Sequence, residues 1–219
     1  MVEWLSDLAV FKTAGIIVMI ITLIGVILPM VVYRGKEGER YSVRSHFISE
    51  LGERGVSHWA WVFNLCIFLS GLGVIFCTIS LGLGLPGFWA KLGMLFGVVT
   101  GVGLAMVGVF PMDNIKPHGK AAITFFRGGL LMVSAFSLAI IFPPQGKVII
   151  PRLFGLVGLI PIAAFVSFLG LLWTVRDKVD QTLSVEGAQH PRVSKFALSE
   201  WAVFFSIILW VLVLSLAIR

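Results

Sequence analysis

Charged residues are scarce in this chain, and regular alternation of polar and apolar residues is missing. Of its 219 residues only 13% are charged, whereas 58% are hydrophobic and the mean hydropathy is +1.00. An ordinary soluble domain carries about 25% charged residues, and a transmembrane β-barrel needs strands of alternating polarity. The composition therefore excludes both classes. It predicts an all-α, polytopic integral membrane protein, because helices satisfy their own backbone groups in lipid.

Several features that identify enzymes or disulfide-bonded proteins are also absent. The two cysteines, Cys66 and Cys77, fall on one predicted helix about 16 Å apart at ~1.5 Å rise per residue, which is too far for a disulfide bond. The sequence has no phosphate-binding loop, dinucleotide fingerprint, nucleophile elbow or HExxH helix. The net charge of +6 is spread over the ends of apolar segments, which indicates membrane lipids rather than nucleic acid as partners.

Six apolar segments are each long enough to cross the roughly 30 Å hydrocarbon core of a membrane, which takes about 20 helical residues. We predict a single transmembrane domain over residues 1–219, built as a six-transmembrane-helix bundle. An even number of spans places both ends of the chain on the same side of the membrane. The predicted spans are residues 13–32, 59–81, 88–110, 121–142, 152–175 and 197–218.

The connecting loops divide into two groups by charge. The long loops 33–58, 111–120 and 176–196 lie on one side and hold eleven Lys and Arg residues, whereas the other side holds five. Positive residues concentrate in cytoplasmic loops. The sequence therefore predicts a multi-pass protein of the cell membrane, with the long loops in the cytoplasm and the termini on the opposite side.

The third span carries a small-residue face, defined here as Gly93, Gly97, Gly101 and Ala105. Residues four positions apart lie on one side of a helix, and small side chains let two helices approach closely. The partner helix lies either within the chain or in a second copy, so this face also allows a homo-oligomer. The sixth span is almost uniformly apolar and is predicted to lie at the periphery of the bundle.

The first long loop contains a segment with side chains suited to a binding site. Ser42 is predicted to cap a short helix that ends at Gly52, which places His46 and Glu50 four residues apart on one face. These two residues form either an exposed ion pair or, together with Ser49, part of a site at the membrane surface.

Two polar residues are predicted to face the inside of the bundle. Asn64 in the second span is either a packing contact between helices or part of a site. Arg127 lies about 9 Å inside the fourth span at ~1.5 Å per residue, on the same helix face as Lys120 and Thr124. A charge at this depth marks a functional site, unless its long side chain reaches back to the interface.

These polar residues share the side of the long loops and permit two chemistries. In the first, His46, His118 and either Asp113 or Glu50 hold a zinc-like ion that polarises an ester or amide of a lipid. In the second, basic side chains bind an anionic head group. The catalytic candidates are His46, Ser49, Glu50, Asp113 and His118, of which His46, Asp113 and His118 are the metal candidates. The ligand-binding candidates are Arg44, Asn64, Lys116, Lys120 and Arg127.

Two short motifs carry a family resemblance. Residues 48–52 read ISELG, residues 109–113 read VFPMD and are followed by His118, and Asn64 stands early in the second span. This arrangement resembles the prokaryotic six-span membrane family called domain of unknown function 998 and is more distantly similar to the eukaryotic Frag1/DRAM/Sfk1 membrane proteins. Glu50 stands where the eukaryotic motif has aspartate, and those relatives place the motif loops away from the cytoplasm.

The resemblance implies six helices with the two motif loops meeting at one membrane face. The association of the distant relatives with lipid-anchor remodelling and membrane lipid organisation implies a lipid ligand. We therefore expect a protein that binds a lipid or lipid-like amphiphile between its helices, with the head group held by the polar loops 41–58 and 111–120.

Two other functions stay open. The first alternative is a membrane-embedded, metal-dependent lipid hydrolase or transferase. The second is a transporter or scramblase, which would need a polar path across the whole bilayer. The sequence does not decide whether the protein is an enzyme.

Overall fold

The computed structural model of the protein describes residues 3–144, 147–182 and 193–218, with the backbone alone for residues 3 and 175–182. Every regular element within these ranges is a helix, including two short 3₁₀ helices at Glu3–Ser6 and Ile48–Gly52. The α-helices are α1 (Leu8–Val32), α2 (Ala60–Gly84), α3 (Phe88–Val109), α4 (Ile115–Ile141), α5 (Leu153–Leu156), α6 (Leu159–Thr182) and α7 (Lys195–Ala217).

Six segments are long and apolar enough to cross a membrane, and α5 together with the first part of α6 forms one of them, Leu153–Thr174. The predicted all-α, six-span membrane fold is therefore confirmed. Helices α1 and α4 begin at least five residues earlier than predicted. Helix α1 begins at Leu8 because the Asp7 carboxylate accepts a hydrogen bond from the Ala9 N–H at 2.9 Å and caps the helix.

Helix α4 also begins earlier, at Ile115. The second half of the predicted polar loop 111–120 is therefore the first part of a helix. Pro117 is accommodated there because the N–H groups of a first helical turn have no partner inside the helix. The predicted loop 176–196 is also shorter than expected, since α6 continues to Thr182. Residues 183–192 of that loop lie outside the described residues.

The long helices pack as a closed ring. Helix α1 packs on α2, α2 on α3, α3 on α4, α4 on α6, α6 on α7, and α7 returns to α1. The sixth span is thus a full member of the ring, which corrects its predicted peripheral place. Helices on opposite sides of the ring do not pack closely against each other, and a cavity lies between them.

The small-residue face of α3 packs within the chain. A Cβ atom on Gly101 would lie 2.6 Å from the carbonyl oxygen of Gly71 on α2, and one on Gly93 would lie 2.9 Å from the ring of Phe136 on α4. Helix α3 therefore fits between α2 and α4 at backbone contact distance. The face is covered by these two helices within the chain. A homo-oligomer through Gly93, Gly97, Gly101 and Ala105 stays a prediction.

The two chain termini lie at one end of the ring, and the long loops lie at the other. At the terminus end, the Lys12 ammonium donates a hydrogen bond to the Ile218 carbonyl at 3.2 Å. At the loop end, the Ser194 N–H donates to the Arg44 carbonyl at 2.7 Å, and the first and third connections are also in contact. The long loops therefore meet at one end, as the span count predicts. Which end faces the cytoplasm stays a prediction.

The close packing of α2 on α3 leads to a stability prediction. A methyl group at Gly71 would lie 2.7 Å from the Cα of Ala105, so Gly71→Ala has to push the two helices apart. Overpacking of this kind costs about 1–3 kcal/mol. We expect Gly71→Ala to lower the apparent melting temperature of the purified protein by several degrees.

The matched control is Gly170→Ala on α6, where an added methyl group meets nothing within 4 Å. Alanine is the better helix former, so this variant should melt at or slightly above the wild-type temperature. Equal melting temperatures for the two variants would contradict the packing described for α2 and α3.

Candidate functional site

The space along the axis of the ring is a cavity of about 170 Å³. One water molecule needs only about 10–15 Å³ of such space. Along α4 the lining residues run from His118 to Met132, which corresponds to roughly 21 Å of helix at ~1.5 Å per residue. This length exceeds the thickness of one leaflet, about 15 Å of hydrocarbon. The cavity is therefore long and narrow.

The walls of the cavity are apolar along most of its length. Three threonines line it, Thr22, Thr78 and Thr100. Each donates its hydroxyl hydrogen to the backbone carbonyl four residues earlier in its own helix, at 2.7–2.8 Å. These hydroxyl hydrogens are therefore engaged within the helices. The remaining wall is mainly aliphatic and aromatic, which suits a hydrocarbon chain.

Polar side chains line the cavity at its loop end: Ser49 from the Ile48–Gly52 3₁₀ helix, His118 from the start of α4, and Glu200 from the start of α7. We call these three residues the polar end. Ser49 and His118 were predicted from the sequence. Glu200 was missed because a single acid near the start of an apolar span is easily read as interfacial, although an ionisable residue within a span is a functional signal by default.

The hydrogen bonds of His118 define its chemistry. The side chain is 6% exposed, and its Nδ1 lies 2.9 Å from the Phe110 carbonyl oxygen. A carbonyl only accepts, so Nδ1 carries the hydrogen in this contact. In the neutral ring Nε2 is then a hydrogen-bond acceptor. His118 thus brings an acceptor nitrogen to the polar end.

The carboxylate of Glu200 joins α7 to the first loop. Its Oε2 accepts a hydrogen bond from the Ile48 N–H at 2.7 Å. The residue is half-buried and lines the cavity, so the rest of the carboxylate is accessible from within. Ser49 is oriented by a contact with Met112, since its hydroxyl donates to the Met112 sulfur at 3.5 Å. Its oxygen therefore remains an acceptor.

His46 lies in an aromatic cluster beside the cavity. Its ring packs against those of Tyr33 and Tyr41, with centroids 5.5 and 5.1 Å away. Its Nδ1 contacts the Ser45 hydroxyl at 3.0 Å, and Nε2 lies 3.8 Å from a carboxylate oxygen of Glu39. His46 is part of the folded loop and is absent from the cavity wall.

The predicted continuous helix from Ser42 to Gly52 is a turn followed by the 3₁₀ helix, because Phe47 is extended.

Glu50 is a buried carboxyl group next to that of Glu200. It is 3% exposed, and its Oε1 accepts a hydrogen bond from the Phe47 N–H at 2.8 Å. Burial raises the pKa of Glu50 to about 8, and the nearby carboxylates of Glu200, Glu53 and Glu39 act in the same direction, while the Phe47 hydrogen bond opposes them.

Asp113 and Arg54 form an ion pair between the first and third connections. The Arg54 guanidinium donates to Oδ2 of Asp113 at 2.8 Å and 3.1 Å and to Oδ1 at 3.3 Å. This hydrogen bonding and the positive charge hold the pKa of Asp113 below its usual value. The pair lies on the surface, so Asp113 fastens two loops together and is not part of the cavity. Arg54 was not predicted as its partner.

The other predicted ligand-binding residues lie outside the cavity. Asn64 donates from Nδ2 to the Gly52 carbonyl at 3.0 Å and fixes the end of the 3₁₀ helix to α2. Arg127 is exposed on the outer side of α4, so the prediction that its face points into the bundle is wrong. The inner side of α4 is occupied by Gly128 and Gly129, which pack against neighbouring helices. The basic candidates that are exposed are Arg44, Lys116, Lys120 and Arg127.

The three metal candidates occupy three different places. His46 lies in the aromatic cluster, Asp113 pairs with Arg54, and His118 lines the cavity. Among the described residues no group of three or more His, Cys, Asp or Glu side chains is arranged to hold a metal ion. The structure therefore does not bring the predicted zinc ligands together.

The sequence was also compared with models of known protein families. A family model described as a protein of unknown function, DUF998, matches residues 16–217. The chain belongs to the DUF998 family. The match extends from α1 to α7 of this DUF998 protein, so the family resemblance of its motifs is confirmed. Similarity to the Frag1/DRAM/Sfk1 proteins is not shown. Comparisons with curated proteins and with solved structures gave no match.

The buried carboxyl of Glu50 leads to a prediction on pH. Its pKa rises from 4.5 to about 8 in the folded DUF998 protein, so the folded state holds this proton more tightly than the unfolded state. The resulting stabilisation is present in full below pH 4.5 and is lost as the pH rises through 8. At 1.36 kcal/mol per pKa unit, it is of the order of a few kcal/mol.

We expect Glu50→Gln to weaken the fall in apparent melting temperature between pH 5 and pH 9, because glutamine can still accept the Phe47 hydrogen bond but does not titrate. Glu37→Gln is the control, since Glu37 is exposed on the same loop and is not among the carboxylates that raise the pKa of Glu50. If Glu50→Gln keeps the wild-type pH profile, Glu50 is not the group that links protonation to stability.

Proposed function

We propose that this DUF998 protein binds a single-chain amphiphile in the cavity of its helical ring. The hydrocarbon chain lies along the apolar wall, and the head group lies at the polar end beside Ser49, His118 and Glu200. The observation that carries the proposal is the polarity of the cavity. It is apolar along roughly 20 Å and has polar side chains at the loop end.

The shape of the cavity supports one extended chain. Ligand sites are concave and mostly apolar, with a few polar groups that fix orientation. Most of the wall is aliphatic or aromatic and offers few hydrogen bonds to water, so a hydrocarbon is the more favourable occupant. Residues from all six long helices line the cavity and can contact such a chain.

The position of the head group refines the sequence-based expectation. Ser49 belongs to the predicted loop 41–58, and His118 to the predicted segment 111–120. These two residues support a head group between the two motif segments. The exposed cations Arg44, Lys116, Lys120 and Arg127 have no part in the proposed site. On the outer surface they can contact lipid head groups of the membrane.

Binding is better supported than the two alternatives. A transporter or scramblase needs polar groups along a path through the bilayer, whereas Glu200 and His118, the ionisable acid and base groups lining this cavity, both lie at its loop end. A metal-dependent hydrolase needs side chains that hold the ion together, and the described residues contain no group of three or more His, Cys, Asp or Glu side chains arranged to do so.

Blocking the cavity tests the proposal. Ala122 on α4 lines the cavity, so Ala122→Phe places a ring in the path of the chain. Ala163 on α6 is exposed on the outside of the ring, so Ala163→Phe adds the same ring on the lipid side. Amphiphiles that remain with the purified protein are extracted and quantified by mass spectrometry.

We expect Ala122→Phe to reduce the amount of retained single-chain amphiphile per protein several-fold, while Ala163→Phe retains the wild-type amount. Both variants should first be shown to melt cooperatively, so that unfolding is separated from blocking. Equal retention by Ala122→Phe, Ala163→Phe and the wild type would mean that the amphiphile is held elsewhere, and the proposal would fail.

A further inference from the structure

We propose that the head group selected by the polar end is a protonated amine, so that the ligand class is a long-chain ammonium amphiphile. This inference rests on the proposed function, since it assigns the chemistry of the same cavity. It is carried by the acceptor character of the polar end and by the carboxyl groups gathered there.

All three side chains of the polar end offer acceptors. The Nδ1–H of His118 is engaged with the Phe110 carbonyl, which leaves Nε2 as an acceptor. The Ser49 hydroxyl hydrogen points to the Met112 sulfur, which leaves the oxygen lone pairs. The Glu200 carboxylate has acceptor capacity beyond its bond from Ile48. An ammonium group has three donors and no acceptor, so it matches this set.

Two carboxyl groups stand close together at this end. Glu50 and Glu200 accept hydrogen bonds from the consecutive amides of Phe47 and Ile48, at 2.8 Å and 2.7 Å. Neighbouring carboxylates resist ionisation together, and a buried negative charge is unfavourable without a positive partner. An ammonium head beside Glu200 supplies that partner. An anionic head would place a second negative charge beside Glu200.

No Lys or Arg side chain lines the cavity within the described part of the chain. The basic residues of the loop end are used elsewhere or face outward: Lys36 pairs with Glu53, Arg54 pairs with Asp113, and Arg44 is exposed. Among the described residues no Lys or Arg faces Glu200 across the cavity, and an ammonium head group would supply a positive charge there.

Aromatic rings complete the arrangement. Phe204 lies one turn beyond Glu200 on α7 and also lines the cavity, as does Phe63 on α2. The faces of aromatic rings attract cations. A carboxylate beside aromatic rings is a favourable surrounding for an ammonium group, whereas a phosphate or carboxylate head would meet only acceptors and ring faces.

Three ligands with the same hydrocarbon chain length and different head groups test this inference on the full-length purified protein. Equilibrium binding of radiolabelled 1-aminododecane, 1-dodecanol and dodecanoate is measured at neutral pH in the same detergent. We expect the amine to bind about tenfold more tightly than the alcohol, since hydrogen bonds to charged groups contribute about 1.5–3 kcal/mol. Dodecanoate should bind most weakly. This comparison uses only the wild-type protein, so it remains informative even if a substitution prevents folding.

Two variants test whether Glu200 causes the preference for the amine. Glu200→Gln should lower the ratio of amine affinity to alcohol affinity about tenfold, and Glu53→Gln on the loop surface should leave the ratio unchanged. Equal affinities for the amine and the alcohol, a preference for dodecanoate, or an unchanged ratio in Glu200→Gln would each overturn the amine assignment and leave the proposed function in place. If none of the three amphiphiles binds, or if Ala122→Phe binds them as the wild type does, the proposed function itself is overturned.

Discussion

The contact of α7 with α1 closes the ring of helices, and the properties of the candidate site depend on this closure. Without it the apolar inner faces of the other helices would open to the bilayer as a groove. With it, the inner faces surround a space of about 170 Å³. The small residues of α3 determine where this space lies. They bring α2, α3 and α4 to backbone contact on one side, so that the unfilled volume falls along the axis.

The loop end of the cavity is fixed by hydrogen bonds to one short segment. The Ile48–Gly52 3₁₀ helix is bound at its start by carboxylates from Glu50 and Glu200 and at its end by Asn64. The Trp201 indole N–H also donates to the His46 carbonyl, at 3.3 Å. These contacts join the first loop to α2 and α7. His46 and Asn64 therefore have a structural role in these motifs that does not require a ligand.

The sequence predicted the six spans well because a run of about 20 apolar residues has few other uses. It predicted the start of α4 poorly, since Lys116, Pro117, His118 and Lys120 have the composition of a loop. The orientation of the Arg127 side chain was also predicted wrongly. Helical spacing shows which residues share a face, but the neighbouring helices decide whether that face points inward. The cavity and the role of Glu200 follow from ring closure, which no local pattern encodes.

The central claim is that a hydrocarbon chain occupies the axis of the ring. The most direct measurement uses single-chain amphiphiles that carry a diazirine at the end of the chain, followed by photolysis and peptide mapping by mass spectrometry. Adducts on the inward residues Phe11, Met132 and Trp210, deep in the cavity, are the predicted result. Adducts confined to outward residues such as Leu131 and Val166 would contradict it, because they would place the chain in the surrounding lipid.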